Sequence, residues 1–334
     1  MMRIAMITDW RGFGLAIGLA ACVMTPSSLD AGENYTLCGG SPGGLWSLLG
    51  AGMDAVVKEI DPSSTVTYQT SSGGFANIVQ VRAGKCDMAI VHVGEAVIAR
   101  NGQPPFSAPT EGVKAVAVLY DWAPMQWVIG KEFAEKHNLK SIGDLKKAKP
   151  PLDLVVNRRG ILPSILAEES LKHAGITFAD IESWGGSIQY QGSQTAAGIM
   201  KDRKADMWVN ATFVGSGRIR SIAESRDVTL LSVPDPVIEG MAGAYGSMPK
   251  TVEAGAYPWL DSDTRTFGAR AILIVADGMD EGVVKEITAA MINHVDKIQG
   301  VHKAMGALSV DVMRSQNEIA YHPGAEAAYR DAGS

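Results

Sequence analysis

At 334 residues, 46% of them apolar and 20% charged, the chain can bury a sizeable core, and its length favours two domains over one. A formal net charge of −6 and a pI near 5.6, with no basic run longer than Lys146-Lys147 or Arg158-Arg159, exclude the electrostatic footprint of a nucleic-acid binder. No apolar run of about eighteen residues follows position 31, so no membrane-spanning helix is predicted there.

The first 31 residues read as a processing signal. Arg3 and Arg11 precede an uncharged run from Gly12 to Met24, too short to span a bilayer and of the length of a secretory apolar segment. Residues 1–31 are therefore expected to be a signal peptide cleaved near Ala31, with the mature protein exported to the periplasm. Leu19-Ala20-Ala21-Cys22 resembles a lipoprotein box and keeps a lipid anchor through Cys22 as the alternative.

The mature chain opens on a predicted strand, 35–38, followed by Gly39-Gly40-Ser41-Pro42-Gly43 and a helix over 45–60. Leu45, Leu48, Leu49, Met53, Val56, Val57 and Ile60 carry the helical spacing. Gly39 to Gly43 spell G-x-S-x-G in the strand-turn-helix context of a hydrolase nucleophile. In that elbow the residue after the serine donates its N–H to the oxyanion hole, and Pro42 has no N–H. An exported serine hydrolase acting through Ser41 is thus the weaker reading. A glycine-rich turn at a helix N-terminus, where backbone N–H groups attract carboxylates, is the stronger.

Strand 65–70, helix 74–83, strand 86–92 and helix 94–100 continue the alternation, which argues for a parallel sheet covered by helices on both faces. Two apolar runs follow, Val113 to Tyr120 and Met125 to Ile129. A second alternating set then reads as strand 152–156, helix 163–174, strand 181–184, helix 193–203 and strand 206–210. From Arg270 to Val275 the chain returns to a strand, then to a helical region from Glu281 to about Ala307. With Cys38 ending one strand and Cys86 beginning another, parallel strands with aligned ends would hold them about 13 Å apart. A disulfide needs Cα atoms within about 7 Å, so two buried thiols are expected.

The second set echoes the first. Lys85-Cys86-Asp87-Met88 and Lys204-Ala205-Asp206-Met207 share Lys-x-Asp-Met at an offset of 119, and the same offset carries Gly73 onto Gly192. Two lobes on one plan are predicted: lobe one from 32–121 and 238–334, lobe two from 122–237, with the crossings forming a hinge. Open α/β lobes place ligand sites at the carboxyl ends of their strands, so the loops there should face one cleft. Four of these loops open helices, whose N-termini favour negative charge. Arg158 and Arg159 add cations suited to gripping a carboxylate.

No constellation for catalysis appears: no H-E-x-x-H, C-x-x-C, Walker motif or strand-borne G-x-G-x-x-G. No enzyme activity, cofactor or metal is expected.

The residues Cys38 to Trp46, Ser72-Gly73-Gly74-Phe75-Ala76-Asn77, Ala83 to Val91, Gly255-Ala256-Tyr257-Pro258 and Tyr321-His322-Pro323-Gly324-Ala325-Glu326 together resemble the TAXI family. These are extracytoplasmic solute receptors of TRAP transporters with the type II periplasmic-binding-protein fold, two open α/β lobes joined by a hinge. The resemblance implies a binding protein that holds a small organic carboxylate between the lobes and delivers it to TRAP membrane subunits, an ABC importer being the alternative partner. The family's T-G-G-S-x-x-N loop falls on Ser72, Gly73, Gly74, Phe75 and Asn77. Its second-lobe Gly- and Ser/Thr-rich loop is replaced by Arg158-Arg159-Gly160. The expected ligand contacts are Gly40, Ser41, Leu45 and Trp46; Ser72, Gly73, Gly74, Phe75 and Asn77; His92 and Val93; Arg158, Arg159 and Gly160; and Trp184, Trp208 and Asn210.

Overall fold

Strand and helix alternate from the first described residue onward in the computed structural model, which describes residues 32–333 except 41 and 43. The expected signal segment, Cys22 and Ser41 lie outside the described residues. The first set comprises β1 (Asn34–Cys38), α1 (Leu45–Val57), β2 (Thr65–Gln69), α2 (Gly74–Arg82), β3 (Met88–His92) and α3 (Val93–Arg100). β1 lies between β2 and β3 and runs parallel to both.

The two apolar runs after it form one 18-residue strand, β4 (Val113–Gly130). Pro124 does not break it because the strand changes partners there: the ladder to the returning strand is irregular near this point and ends at Pro124, and a new ladder begins at Met125. A proline costs least where a ladder is already interrupted.

The second set follows as α4 (Lys131–Lys136), α5 (Leu145–Ala148), β5 (Asp153–Val156), α6 (Leu162–His173), α7 (Phe178–Ser183), β6 (Ser187–Tyr190), α8 (Ser193–Lys201), β7 (Met207–Ala211), α9 (Gly217–Ala223), β8 (Val228–Leu231), α10 (Asp235–Tyr245) and β9 (Met248–Val252). The strand expected at 181–184 is instead the end of α7. Thr177 and Asp180 form a reciprocal capping box, the Asp180 carboxylate accepting the Thr177 N–H at 2.8 Å and the Thr177 hydroxyl accepting the Asp180 N–H at 3.1 Å. That local signal starts a helix, and Ile181 is buried from it. The strand begins only after Gly185, whose φ of +92° makes the turn.

The chain returns through β10 (Thr264–Ala276) and ends in α11 (Glu281–Asn293), α12 (Val295–Gln299), α13 (Val310–Met313) and α14 (Pro323–Asp331). The single helical region expected over 281–307 is interrupted at His294, whose φ of −124° and ψ of 37° leave the helical region.

The sheet order is β2-β1-β3-β10-β4-β7-β5-β6, with β8 on β4 and β9 on β10. The first part of β4 pairs antiparallel with β10, and its second part, Met125–Gly130, pairs with β7 and β8. The first part of β10 likewise pairs with β9. These two long strands join two α/β halves, each with apolar cores on both faces of its sheet. Leu37, Leu49 and Met88 anchor one core and Ile78, Val91 and Ile272 another in the first half; Trp127 with Leu166 and Trp208 with Val155 do the same in the second.

The two halves repeat one local design. The Asp87 carboxylate accepts the Thr36 N–H at 2.7 Å, and the Asp206 carboxylate accepts the Asp153 N–H at 2.9 Å. Each aspartate thereby locks the start of its strand to the neighbouring parallel strand. Upstream, α2 and α8 are both nine residues long, and each ends at a left-handed residue, Gly84 (φ +64°) and Arg203 (φ +58°). The 119-residue offset seen in the sequence therefore matches a repeated helix-turn-strand unit.

Cys38 and Cys86 are joined in a disulfide, with Cα atoms 5.9 Å apart, which corrects the expectation of two thiols. The reason is register. Cys38 lies opposite Ala89, and β3 begins only at Met88, so Cys86 belongs to the turn after α2 rather than to the strand. That turn passes back over β1, and both sulfurs lie near the Gln80 side chain.

Candidate ligand cleft

The loops at the carboxyl ends of the parallel strands meet at one cavity of about 620 Å3. The first half contributes Gly40, Leu45 and Trp46 from the turn into α1, His92 from the end of β3, and Tyr120 from β4. The second half contributes Asn157 after β5, Ser193 at the start of α8, Asn210 and Phe213 around the end of β7, and Arg218 and Arg220 from α9. His302 and Lys303, from the turn that follows α12, complete the wall. No aspartate or glutamate lines this cavity among the described residues.

The apolar lining is aromatic and connected. The Trp46 and His92 rings lie 5.0 Å apart, Tyr120 meets Phe213 edge-on at 5.2 Å, and Phe213 stacks on His302 at 6.3 Å. The polar lining is ordered by hydrogen bonds. Trp46 Nε1–H donates to the Tyr120 hydroxyl at 3.1 Å. Asn157 Nδ2–H donates to Asn210 Oδ1 at 2.8 Å, and Asn210 Nδ2–H donates to Ser193 Oγ at 3.3 Å. Burial pushes the Tyr120 phenol up to about 12, so it remains a neutral donor at physiological pH. Arg220 donates to the Gly215 carbonyl at 2.8 Å, while Arg218 and Lys303 project from exposed positions.

A second, smaller cavity of about 260 Å3 gathers Ser72, Gly73, Gly74 and Phe75 with Arg159, Gly160 and Glu95. Arg159 lies over the Tyr190 ring at 3.8 Å. The N-terminus of α2, where the sequence suggests a ligand carboxylate, faces the chain's own buried carboxylate: any Cβ at Gly74 would collide with Glu95. Glu95 also accepts the His92 backbone N–H at 2.8 Å and faces His92 Nδ1 at 3.2 Å.

Of the residues singled out in the sequence, Gly40, Leu45, Trp46, His92 and Asn210 thus share the larger cavity, and Ser72, Gly73, Gly74, Phe75, Arg159 and Gly160 share the smaller. Asn77, Val93, Arg158, Trp184 and Trp208 line neither. Asn77 is fully buried and donates to the Gly39 and Ile90 carbonyls, and Val93 and Trp208 are core residues. Trp184 packs against the second-half core, and Arg158 is exposed. Tyr120, Ser193, Arg218, Arg220 and Lys303 were not among the sequence candidates. Among the described residues no cluster of His, Cys, Asp and Glu could hold a metal, and no helix is long and apolar enough to cross a membrane.

Solved structures share this architecture at low identity. PhnD1 from Prochlorococcus marinus, in complex with methylphosphonate, superposes with a TM-score of 0.56 at 12% identity, covering 90% of this chain and 98% of that one. MatC from Rhodopseudomonas palustris, with bound malate, gives 0.53 at 14% identity, covering 90% and 97%. The periplasmic aliphatic sulphonate binding protein SsuA from Escherichia coli gives 0.47 at 12%, covering 85% and 77%. The fold is that of the periplasmic binding proteins, two α/β lobes with a cleft between them. The model of the NMT1-like family matches residues 37–333, and the chain belongs to that family.

Proposed function

We propose that this protein is an extracytoplasmic solute receptor that captures a small organic carboxylate between its two lobes and passes it to a TRAP-type transporter. One observation carries the reading. In a chain with 36 acidic and 30 basic residues, the cleft wall holds Arg218, Arg220 and Lys303 and no carboxylate among the described residues. A concave wall of one sign focuses its field on ions of the other. The bound methylphosphonate and malate of the two structural neighbours, both small anions, support it.

The cations come from both sides of the cleft. Arg218 and Arg220 belong to the second half, and Lys303 follows α12, which packs on α1 of the first. An anion held by both draws the halves together, with β4 and β10 as the strands about which closure occurs. The export signal in residues 1–31 and the TAXI-like tail are consistent with this role. In that tail, the His322 ring accepts the Gly324 N–H at 3.2 Å and caps α14, so the motif is structural.

A thermal-shift panel of malate, benzoate, methylphosphonate, choline and a neutral sugar tests the reading, because a ligand that binds only the folded state raises the melting temperature. Carboxylates should raise it. Stabilisation by choline or the sugar with none by any anion would overturn the proposal. Genes for TRAP membrane subunits beside this one support the transporter assignment, and a neighbouring ATPase gene refutes it.

A further inference from the structure

We infer that Tyr120 and Ser193 select the solute by its second polar group: they hold an oxygen that only accepts hydrogen bonds, so the site takes oxo acids or dicarboxylic acids and rejects amino acids. The inference rests on the anion reading of the cleft and adds the chemical class of the solute.

Two hydrogen-bond relays reach the cleft, and each has a direction fixed at its far end. An indole N–H can only donate, so at 3.1 Å from Trp46 Nε1 the Tyr120 oxygen must accept. Its own hydrogen then has no acceptor among the described residues. On the opposite wall a backbone N–H sets the direction. Arg158 N–H donates to Asn157 Oδ1 at 2.8 Å, which turns the Asn157 amide so that Nδ2 faces Asn210 Oδ1. Asn210 must then present Nδ2–H to Ser193 Oγ, and the Ser193 hydroxyl has its hydrogen left to give.

Both hydroxyls therefore have a hydrogen to give the solute. Tyr120 is only 6% exposed, so a group placed against it exchanges water for that one O–H. An α-ammonium group would bring further N–H donors into a wall that already holds Arg218, Arg220 and Lys303. Glu95, the carboxylate whose charge acts on Tyr120, is committed to His92 and lines the other cavity. A carbonyl or carboxylate oxygen placed against either hydroxyl accepts the hydrogen that its relay leaves free. A buried polar group left unpaired weighs against binding more than a made hydrogen bond favours it, so the discrimination should be steep.

The test uses matched pairs that differ only in oxo versus amino: pyruvate and alanine, 2-oxoglutarate and glutamate, phenylpyruvate and phenylalanine, each titrated by calorimetry against the full protein. In every pair that binds, the oxo acid should be tighter by about tenfold or more. Tyr120→Phe and Ser193→Ala should each shrink that ratio about fivefold or more without lowering the melting temperature, and Ser193→Thr, which keeps a hydroxyl, should restore it. An amino acid equal to or tighter than its oxo partner overturns the inference while leaving the anion reading standing. So does an unchanged ratio in folded variants. If no member of any pair binds more tightly than about a millimolar dissociation constant, the inference also fails. Binding of choline instead removes the anion reading itself.

Discussion

Removing the cleft cations one at a time gives the most direct measure of what the cavity holds. Arg218 and Lys303 are the informative pair, because they come from opposite halves and, unlike Arg220, make no hydrogen bond to a backbone carbonyl among the described residues. A unit charge about 4 Å from a carboxylate is worth about 1 kcal/mol in bulk water and about 4 kcal/mol at the effective dielectric of a protein surface. Both side chains start exposed, so the lower part of that range applies: about 1–2 kcal/mol each, or about five- to thirtyfold in Kd. Salt provides the second readout. The Debye length falls from about 30 Å to about 3 Å between 0.01 M and 1 M, so the parent should bind its carboxylate more weakly at high salt. Arg218→Ala and Lys303→Ala should each flatten that dependence. Calorimetry of the best carboxylate ligand at two salt concentrations measures both quantities. Variants that keep the parent affinity and the parent salt dependence would show that the anion is held elsewhere, and the smaller cavity at Arg159 would be the next place to look.

Four further outcomes follow from the fold. Reducing the Cys38–Cys86 disulfide, which spans 48 residues, should lower stability by up to about 4 kcal/mol in the loop-entropy account, read as a drop in urea midpoint with added reductant. Arg270, only 2% exposed, donates to the Gly246 and Ser315 carbonyls and pairs with Glu318. Arg270→Met strips those partners and should lower stability by about 3–5 kcal/mol in chemical denaturation. Gly74→Ala drives a methyl into Glu95 and should lower it by about 1–3 kcal/mol, and a variant as stable as the parent would contradict the packing described. Burial pushes Tyr120 and Tyr245 up to about 12, whereas phenols of the unfolded chain ionise near 10. Their contribution is complete below pH about 10 and lost as pH rises through about 12; phenolate absorbance should therefore lag behind that of the unfolded chain.

Much of the fold was legible because alternation and helical spacing are local properties. β1 to α3 emerged in order, and Lys-x-Asp-Met marked the repeated unit because one aspartate locks each strand start. The failures were equally local. A capping box at Thr177 outweighed the apolar Ile181, and a two-residue error at the start of β3 placed Cys86 on a strand, which turned a bridge into an apparent impossibility. The continuity of β4 could not be read from Asp121 to Pro124, because it depends on two partners far along the chain, β10 on one side and β7 on the other.

The cleft divides along the same line. Gly40, Trp46, His92 and Asn210 could be found because a parallel strand that ends in a loop announces its carboxyl end, and that end is where such folds place ligands. Tyr120 could not, since it sits inside a strand and reaches the cavity only because β4 crosses from one half to the other. Ser193 had a weak signal, as the residue after Gly192 where α8 opens. Arg218 and Arg220 stand on α9, a short helix whose first residue is Gly217, and Gly215 and Gly217 weaken its helical signal. Lys303 arrives from the returning end of the chain with no local mark at all. Arg158 and Arg159 drew attention because they are adjacent, yet adjacent residues rarely point to one place: here Arg159 stacks on Tyr190, and the Arg158 backbone, not its guanidinium, fixes the relay that ends on Ser193. The charge that selects a solute is a property of the assembled wall, so a residue's neighbours in space, not in sequence, determine whether it takes part.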